Sequence, residues 1–121
     1  METNKMYYGD CMDLSKQLPN DYVDLVVTSP PYADTLSYGK DVPIFHPDNY
    51  ANWFLELVIQ SARFLKPTGS FILNINDKII NGRRSIYVYE LLCLIEKETG
   101  LSLHDRYIWA QKSGIPTGGP R

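Results

Sequence analysis

The residues best suited to chemistry are Ser29-Pro30-Pro31-Tyr32, at the end of the apolar run Asp24-Leu25-Val26-Val27-Thr28. Adjacent prolines fix two φ angles and remove two N–H donors. Pro31 also pushes Pro30 out of the helical region, so the backbone stays extended and stiff. The carbonyls of Ser29 and Pro30 then have no local helical partner, and they sit where a strand ends, the place at which open α/β sheets bind ligands. Ser29 adds a hydroxyl that donates or accepts, and Tyr32 adds a flat ring with a polar tip. A rigid set of acceptors beside an aromatic ring suits a planar base with an amino group on its edge. Upstream, the β-prone run Met6-Tyr7-Tyr8 ends in Gly9-Asp10, which puts an acidic side chain at a second strand tip.

The elements that must position these residues follow from periodicity. Val23 to Thr28 reads as a buried strand, and Asp13 to Leu18 as one or two helical turns closed by Pro19-Asn20. Residues 33–47 show no period of 2 or 3.6, and so long an irregular stretch after such a motif is expected to be either functional or disordered in the free protein. Tyr50, Trp53, Phe54, Leu57, Val58, Ser61, Phe64 and Leu65 follow the helical i, i+3, i+4, i+7 spacing, with Asp48 or Asn49 as the expected cap. This stripe reads as core. Lys66-Pro67-Thr68-Gly69 should stop the helix, and Ser70 to Asn76 is the next strand. Lys78 to Arg84 reads as a loop, Ile86 to Glu98 as a helix capped by Ser85, and Leu103 to Gln111 as a further strand. Strands alternating with helices call for an α/β fold, a parallel sheet with helices on both faces. Residues 1–121 read as a single domain without internal repeats.

Composition sets the class. Hydrophobic residues make up 44% and charged residues 21% of the 121-residue chain, as in a globular domain. No apolar run reaches the roughly 18 residues of a membrane span, and the N-terminus has no signal-peptide core. Cys11 and Cys93 form no Cys-x-x-Cys pair and read as reduced, partly buried thiols of a cytoplasmic protein; with His46 and His104 they share no ligand spacing, so no metal is expected. Charge is divided unevenly. Residues 1–60 carry 3 Lys/Arg and 9 Asp/Glu, whereas residues 61–121 carry 9 and 5. Phosphate contacts should therefore come from the second half, with Lys78, Arg83, Arg84 and Lys112 first and Arg106 and Arg121 behind them.

From about Tyr7 to Lys112 the sequence resembles the DNA methyltransferases that modify the exocyclic amine of cytosine or adenine. Their signature is Asp/Asn/Ser-Pro-Pro-Tyr/Phe after a strand, and Thr28-Ser29-Pro30-Pro31-Tyr32 resembles the branch that is often cytosine-N4-specific, in which the catalytic half precedes the cofactor half. The resemblance implies a Rossmann-like S-adenosylmethionine-dependent fold. It implies Ser29, Pro30, Pro31 and Tyr32 as catalytic residues, and Asp10, Thr28 and Ser29 as cofactor neighbours. It also implies double-stranded DNA with a flipped target base as partner, in a prokaryotic or phage-like setting such as a restriction-modification system. Trp109-Ala110-Gln111-Lys112, leading into Ser113-Gly114-Ile115-Pro116, resembles a later motif that lines the base pocket. Ser29 favours cytosine over adenine, where an Asp is more usual. RNA and protein methyltransferases with Asn-Pro-Pro-Tyr sites fit Ser29 and Gly9-Asp10 less well.

The branch carries Phe-x-Gly-x-Gly for the cofactor, downstream of its target-recognition region, and neither is found here; Gly118-Gly119 does not match. The chain therefore resembles the front half of an enzyme, a partial catalytic domain. In the resembling fold two strands of the other half separate Met6–Gly9 from the catalytic strand, so Met6–Gly9 should lack partners and the catalytic strand should show a bare edge. A second chain carrying Phe-x-Gly-x-Gly would complete it; an inactive truncated fragment is the competing expectation.

Overall fold

The computed structural model describes residues 1–31 and 47–110. The elements in order are α1 (Cys11–Ser15), β1 (Val23–Thr28), α2 (Pro47–Phe64), β2 (Leu65–Leu73), β3 (Ile79–Ile80), β4 (Arg83–Arg84) and α3 (Tyr87–Glu98). β1 and β2 form a parallel pair and β3 and β4 an antiparallel one.

α2 forms where the apolar period predicts it. It begins at Pro47, so Asp48 and Asn49 lie inside its first turn and not at its cap. A proline suits the first helical position, and Asp48 there complements the helix dipole. Tyr50, Phe54 and Val58, one helical face, have no exposed surface. They join Ala51 of α2 and Tyr87 and Leu91 of α3 in one core. Ser61 is buried beside them, its hydroxyl donating to the Leu57 carbonyl at 2.8 Å. α3 starts one residue later than its sequence suggests. Ile86 occupies the cap position without a side-chain cap bond, and Ser85 before it belongs to the neighbouring hairpin, its N–H donating to the Lys78 carbonyl at 2.7 Å.

β2 follows α2 without a loop. The helix ends at Phe64, before the expected stop; Val23 pairs with Leu65 and Leu25 with Ser70, so Lys66–Gly69 form an irregularity within the strand. A side chain at Gly69 would force its neighbours to shift: a Cβ there would lie 2.8 Å from Leu65 Cδ1 and 3.0 Å from the Asp24 carbonyl oxygen. Beyond it the register is regular through Val26–Phe71, Val27–Ile72 and Thr28–Leu73. Partners in a parallel pair share a face, and faces alternate along each strand. Phe71 and Leu73, with Ile75 beyond the strand, pack on the α2–α3 core, whereas Leu25, Val27 and Ile72 are 51%, 64% and 51% exposed on the other face. Among the described residues, the expected helical cover is thus present on one face.

Two expected strands do not form. Met6–Gly9 and Leu103–Ala110 have no regular structure, and Met6, Tyr8, Tyr107, Ile108 and Trp109 are exposed. An isolated strand leaves its backbone groups unpaired, and no described strand runs alongside either segment. Cys11 and Cys93 are exposed, contrary to their expected partial burial. The stretch expected to be a loop between β2 and α3 contains a hairpin. Asn81 and Gly82 both have positive φ, 52° and 74°, the type I′ geometry whose twist matches antiparallel strands. No described helix is long and apolar enough to cross a membrane.

Candidate active site

The site is built on the carboxyl end of β1. Burial alternates through its last residues: Val27 exposed, Thr28 half-buried, Ser29 exposed, Pro30 buried. This is the alternation of an extended chain, and it carries Ser29 to the open side of the sheet. Two hydrogen bonds fix the segment from either end. The Thr28 carbonyl accepts from the Asn74 N–H of the β2 tip at 2.9 Å. The Pro31 carbonyl accepts from the hydroxyl of Tyr50, on the first turns of α2, at 2.6 Å. The φ angles of Pro30 and Pro31 are locked by their rings, and Ser29 and Pro30 are each restricted by the proline that follows. Ser29, exposed, and Pro30, buried, therefore sit in a short span with little conformational freedom at the strand's end. Tyr32 lies outside the described residues.

The β2 tip is held in the same way. The Tyr87 hydroxyl, at the start of α3, donates to the Asn76 carbonyl. The rings of Tyr50 and Tyr87 meet at 4.9 Å between centroids with 59° between their planes. The helical period counts Tyr50 only as core. The signal that it does more is its chemistry: a fully buried phenol must place its O–H, and here it finds the Pro31 carbonyl.

Asp10 caps α1. Its carboxylate accepts from the Met12 N–H at 2.8 Å. Arg63 ties the far end of α1 to the end of the sheet where β1 begins, donating to the Ser15 carbonyl at 3.0 Å and the Leu18 carbonyl at 2.8 Å. The described glycines do not make a cofactor cradle. Gly69 packs against β1, Gly82 makes the hairpin turn, and Gly9 lies against Leu14. Of the residues expected beside the cofactor, Thr28 and Ser29 lie at the β1 tip and Asp10 is exposed at the start of α1.

Of the expected phosphate-binding residues, Arg83 and Arg84 project from β4 and are exposed, while Lys78 is half-buried at the base of the hairpin. Arg84 is paired with Asp77 at 2.6 Å, which reduces its charge toward an incoming phosphate. An open cleft of about 300 Å³ lies between the hairpin, with Ile80, Arg83 and Arg84, and the helix starts, with Asp48, Tyr87 and Glu90. Its charges are of both signs, unlike a phosphate groove. Arg106 stands over the ring of Tyr89, 5.8 Å from the centroid. Lys112 lies outside the described residues.

Residues 23–119 match a family model described as DNA methylase. The type II methyltransferase M.PvuII of Proteus hauseri is 32% identical over 114 residues, which is 93% of this chain and 33% of that protein. The type II methyltransferase M.BglII of Bacillus subtilis is 30% identical over 93% of this chain and 30% of its own length. The DNA adenine methyltransferase YhdJ of Escherichia coli K12 is 23% identical over 93% of this chain and 35% of its own length. Among solved structures, the cytosine-N4-specific PvuII DNA methyltransferase superposes with a TM-score of 0.64 at 33% identity, covering 78% of this chain and 33% of that one. The chain thus spans about a third of the length of these relatives.

Proposed function

The chain belongs to the DNA methylase family, and from that we propose that its β1 tip forms the amine-binding part of a site for methylating a base in DNA. The methyl donor is S-adenosylmethionine, the cofactor generally used in this family. The acceptor is the exocyclic amine of a base flipped out of the duplex, cytosine N4 in preference to adenine N6. The setting is a restriction-modification or similar system in the cytoplasm. The observation that carries the reading is the doubly anchored Thr28-Ser29-Pro30-Pro31 tip, an exposed hydroxyl and a stiff backbone acceptor at the carboxyl end of a parallel strand.

The amine of cytosine is conjugated to its ring and is a poor nucleophile. Ser29 Oγ and the Pro30 carbonyl accept its two hydrogens and favour a pyramidal nitrogen, whose lone pair then leaves the ring system. Flipping costs a few kcal/mol. Tyr32, stacked on the extruded base, returns roughly 1–3 kcal/mol. When bound, the cofactor supplies an electrophilic methyl group. Asp10, Thr28 and Ser29 form the protein edge facing it. The chain's own contribution is positioning and electrostatics, with no covalent intermediate on Cys11 or Cys93. Arg83, then Arg84, Lys78 and Lys112, contact phosphates.

Ser29 supports cytosine, as does the likeness to the cytosine-N4-specific PvuII enzyme. The apolar face that the described residues leave open, with Leu25, Val27 and Ile72, supports a further reading: segments of such an enzyme that carry Phe-x-Gly-x-Gly pack against this one. Titration calorimetry of S-adenosylmethionine into the 121-residue chain should show weak binding or none. Co-expression with the cofactor-binding and recognition segments of a related enzyme should put N4-methylcytosine into cellular DNA, read by nucleoside mass spectrometry. N6-methyladenine alone would reassign the base. Methylation that persists in Ser29→Ala would remove the β1 tip from the chemistry.

A further inference from the structure

We propose that Tyr50 is a positioning residue of the amine site, braced by Tyr87, holding the Pro31 carbonyl so that Ser29 Oγ and the Pro30 carbonyl keep their aim. The proposal rests on the role given to Ser29 and Pro30 above. Tyr50 has no exposed surface, Tyr87 is 1% exposed, and both spend their hydroxyls on carbonyls just past the ends of neighbouring parallel strands. A side chain needed only for volume would serve as phenylalanine and avoid the desolvation of a hydroxyl. The Tyr50 ring is also held on three sides, by Trp53 at 5.4 Å, Phe54 at 6.2 Å and Tyr87 at 4.9 Å between centroids. It cannot swing away from Pro31 without opening the core.

The consequence for the site is local. The Thr28 carbonyl is fixed on Asn74, and the Pro31 carbonyl on Tyr50. The two acceptors proposed for the amine lie between these anchors, on backbone already stiffened by two prolines. Without the Tyr50 hydroxyl the outer anchor is lost. The Pro31 peptide can then rotate, its carbonyl competes for the amine hydrogens, and the Pro30 carbonyl drifts with it. Reacting groups tolerate little misplacement: about 1 Å can cost on the order of 100-fold in rate.

The test uses Tyr50→Phe, which removes one oxygen and keeps the ring. In the 121-residue chain labelled with carbonyl-13C proline, the Pro31 resonance should move while those of Pro19 and Pro67 stay. If the variant does not fold, a fluorinated tyrosine at position 50 keeps the packing and alters the donor, and should move the same resonance. A Pro31 resonance unmoved by both changes overturns the proposal. In the complemented enzyme, Tyr50→Phe should lower kcat roughly 10- to 100-fold with KM for S-adenosylmethionine unchanged, a split that general loss of stability does not produce. Wild-type kcat in Tyr50→Phe, beside an inactive Ser29→Ala, overturns the positioning role and leaves the amine-site reading intact. Full transfer by Ser29→Ala overturns the amine-site reading, and the proposal falls with it.

Discussion

The two faces of the β1–β2 sheet are made of similar residues and meet different fates. On one face Val26, Thr28, Phe71 and Leu73 lie under α2 and α3, next to a core in which Tyr50, Phe54, Val58 and Leu91 have no exposed surface. On the other, Leu25, Val27 and Ile72 are half or more exposed. The run Leu25-Val26-Val27 does not alternate in polarity, which is the pattern of a parallel strand buried on both sides. The chain therefore encodes burial for two faces, and its described residues cover one. The covered face also anchors the Ser29-Pro30-Pro31 tip, through Tyr50. The open face is the side to which alternation carries Ser29.

The largest effect should come from the covered side. Phe54→Ala removes a fully buried ring from the α2–α3 core. It should cost about 3–5 kcal/mol, read as a fall in the urea midpoint or as failure to fold. Near-wild-type stability would mean that the core is not the organising feature of this chain. Arg63→Met should rank next. Its guanidinium donates to the Ser15 and Leu18 carbonyls and to Asn20 Oδ1, joining α1 to the edge of the covered layer. Charged-group hydrogen bonds of this kind, partly exposed, should be worth about 1–3 kcal/mol together. Hydrogen exchange should show the loss as opening of residues 11–20 with the α2–α3 amides still protected. Unchanged exchange in α1 would show that Arg63 does not hold it.

How much of this was legible in the sequence depended on what each residue answers to. The helical period of Tyr50 to Leu65 and the apolar run before Ser29 predicted α2 and β1, because burial on the covered face enforces the period there. Leu103–Gln111 was equally strand-like, yet residues 103–110 form none, because a strand needs a neighbour and local propensity cannot supply one. Asn81-Gly82 was readable as a type I′ turn, but the flanking strands are only two residues each, too short to show alternation. Ser85 looked like a cap, but it closes the hairpin and the helix begins one residue later, with Ile86 at the cap position. Tyr50 was visible as core and invisible as an anchor: spacing records which face a ring lies on, not which carbonyl its hydroxyl finds. The Ser29-Pro30-Pro31 tip was legible because its stiffness is local and covalent.

The smallest effect in the isolated chain, and the most informative about the comparison, belongs to the open face. Val27 and Ile72 are register partners there. Replacing both with threonine keeps the β-branched shape that strands favour and removes part of the apolar surface. With 64% and 51% of these residues already in water, the urea midpoint of the chain should correspond to a change of under about 1 kcal/mol. Self-association, measured by sedimentation, should fall, because the variant presents less of the patch that invites it. Complementation should respond in the opposite sense. If the added segments cover this face, each side chain there gains about 1.5–3 kcal/mol on full burial, and the double variant should weaken their association at least tenfold while the chain itself stays folded. A loss of stability comparable to Phe54→Ala in the isolated chain would show the face already covered in solution. Unaltered complementation would show that the added segments join elsewhere, and the two faces would then differ only in exposure.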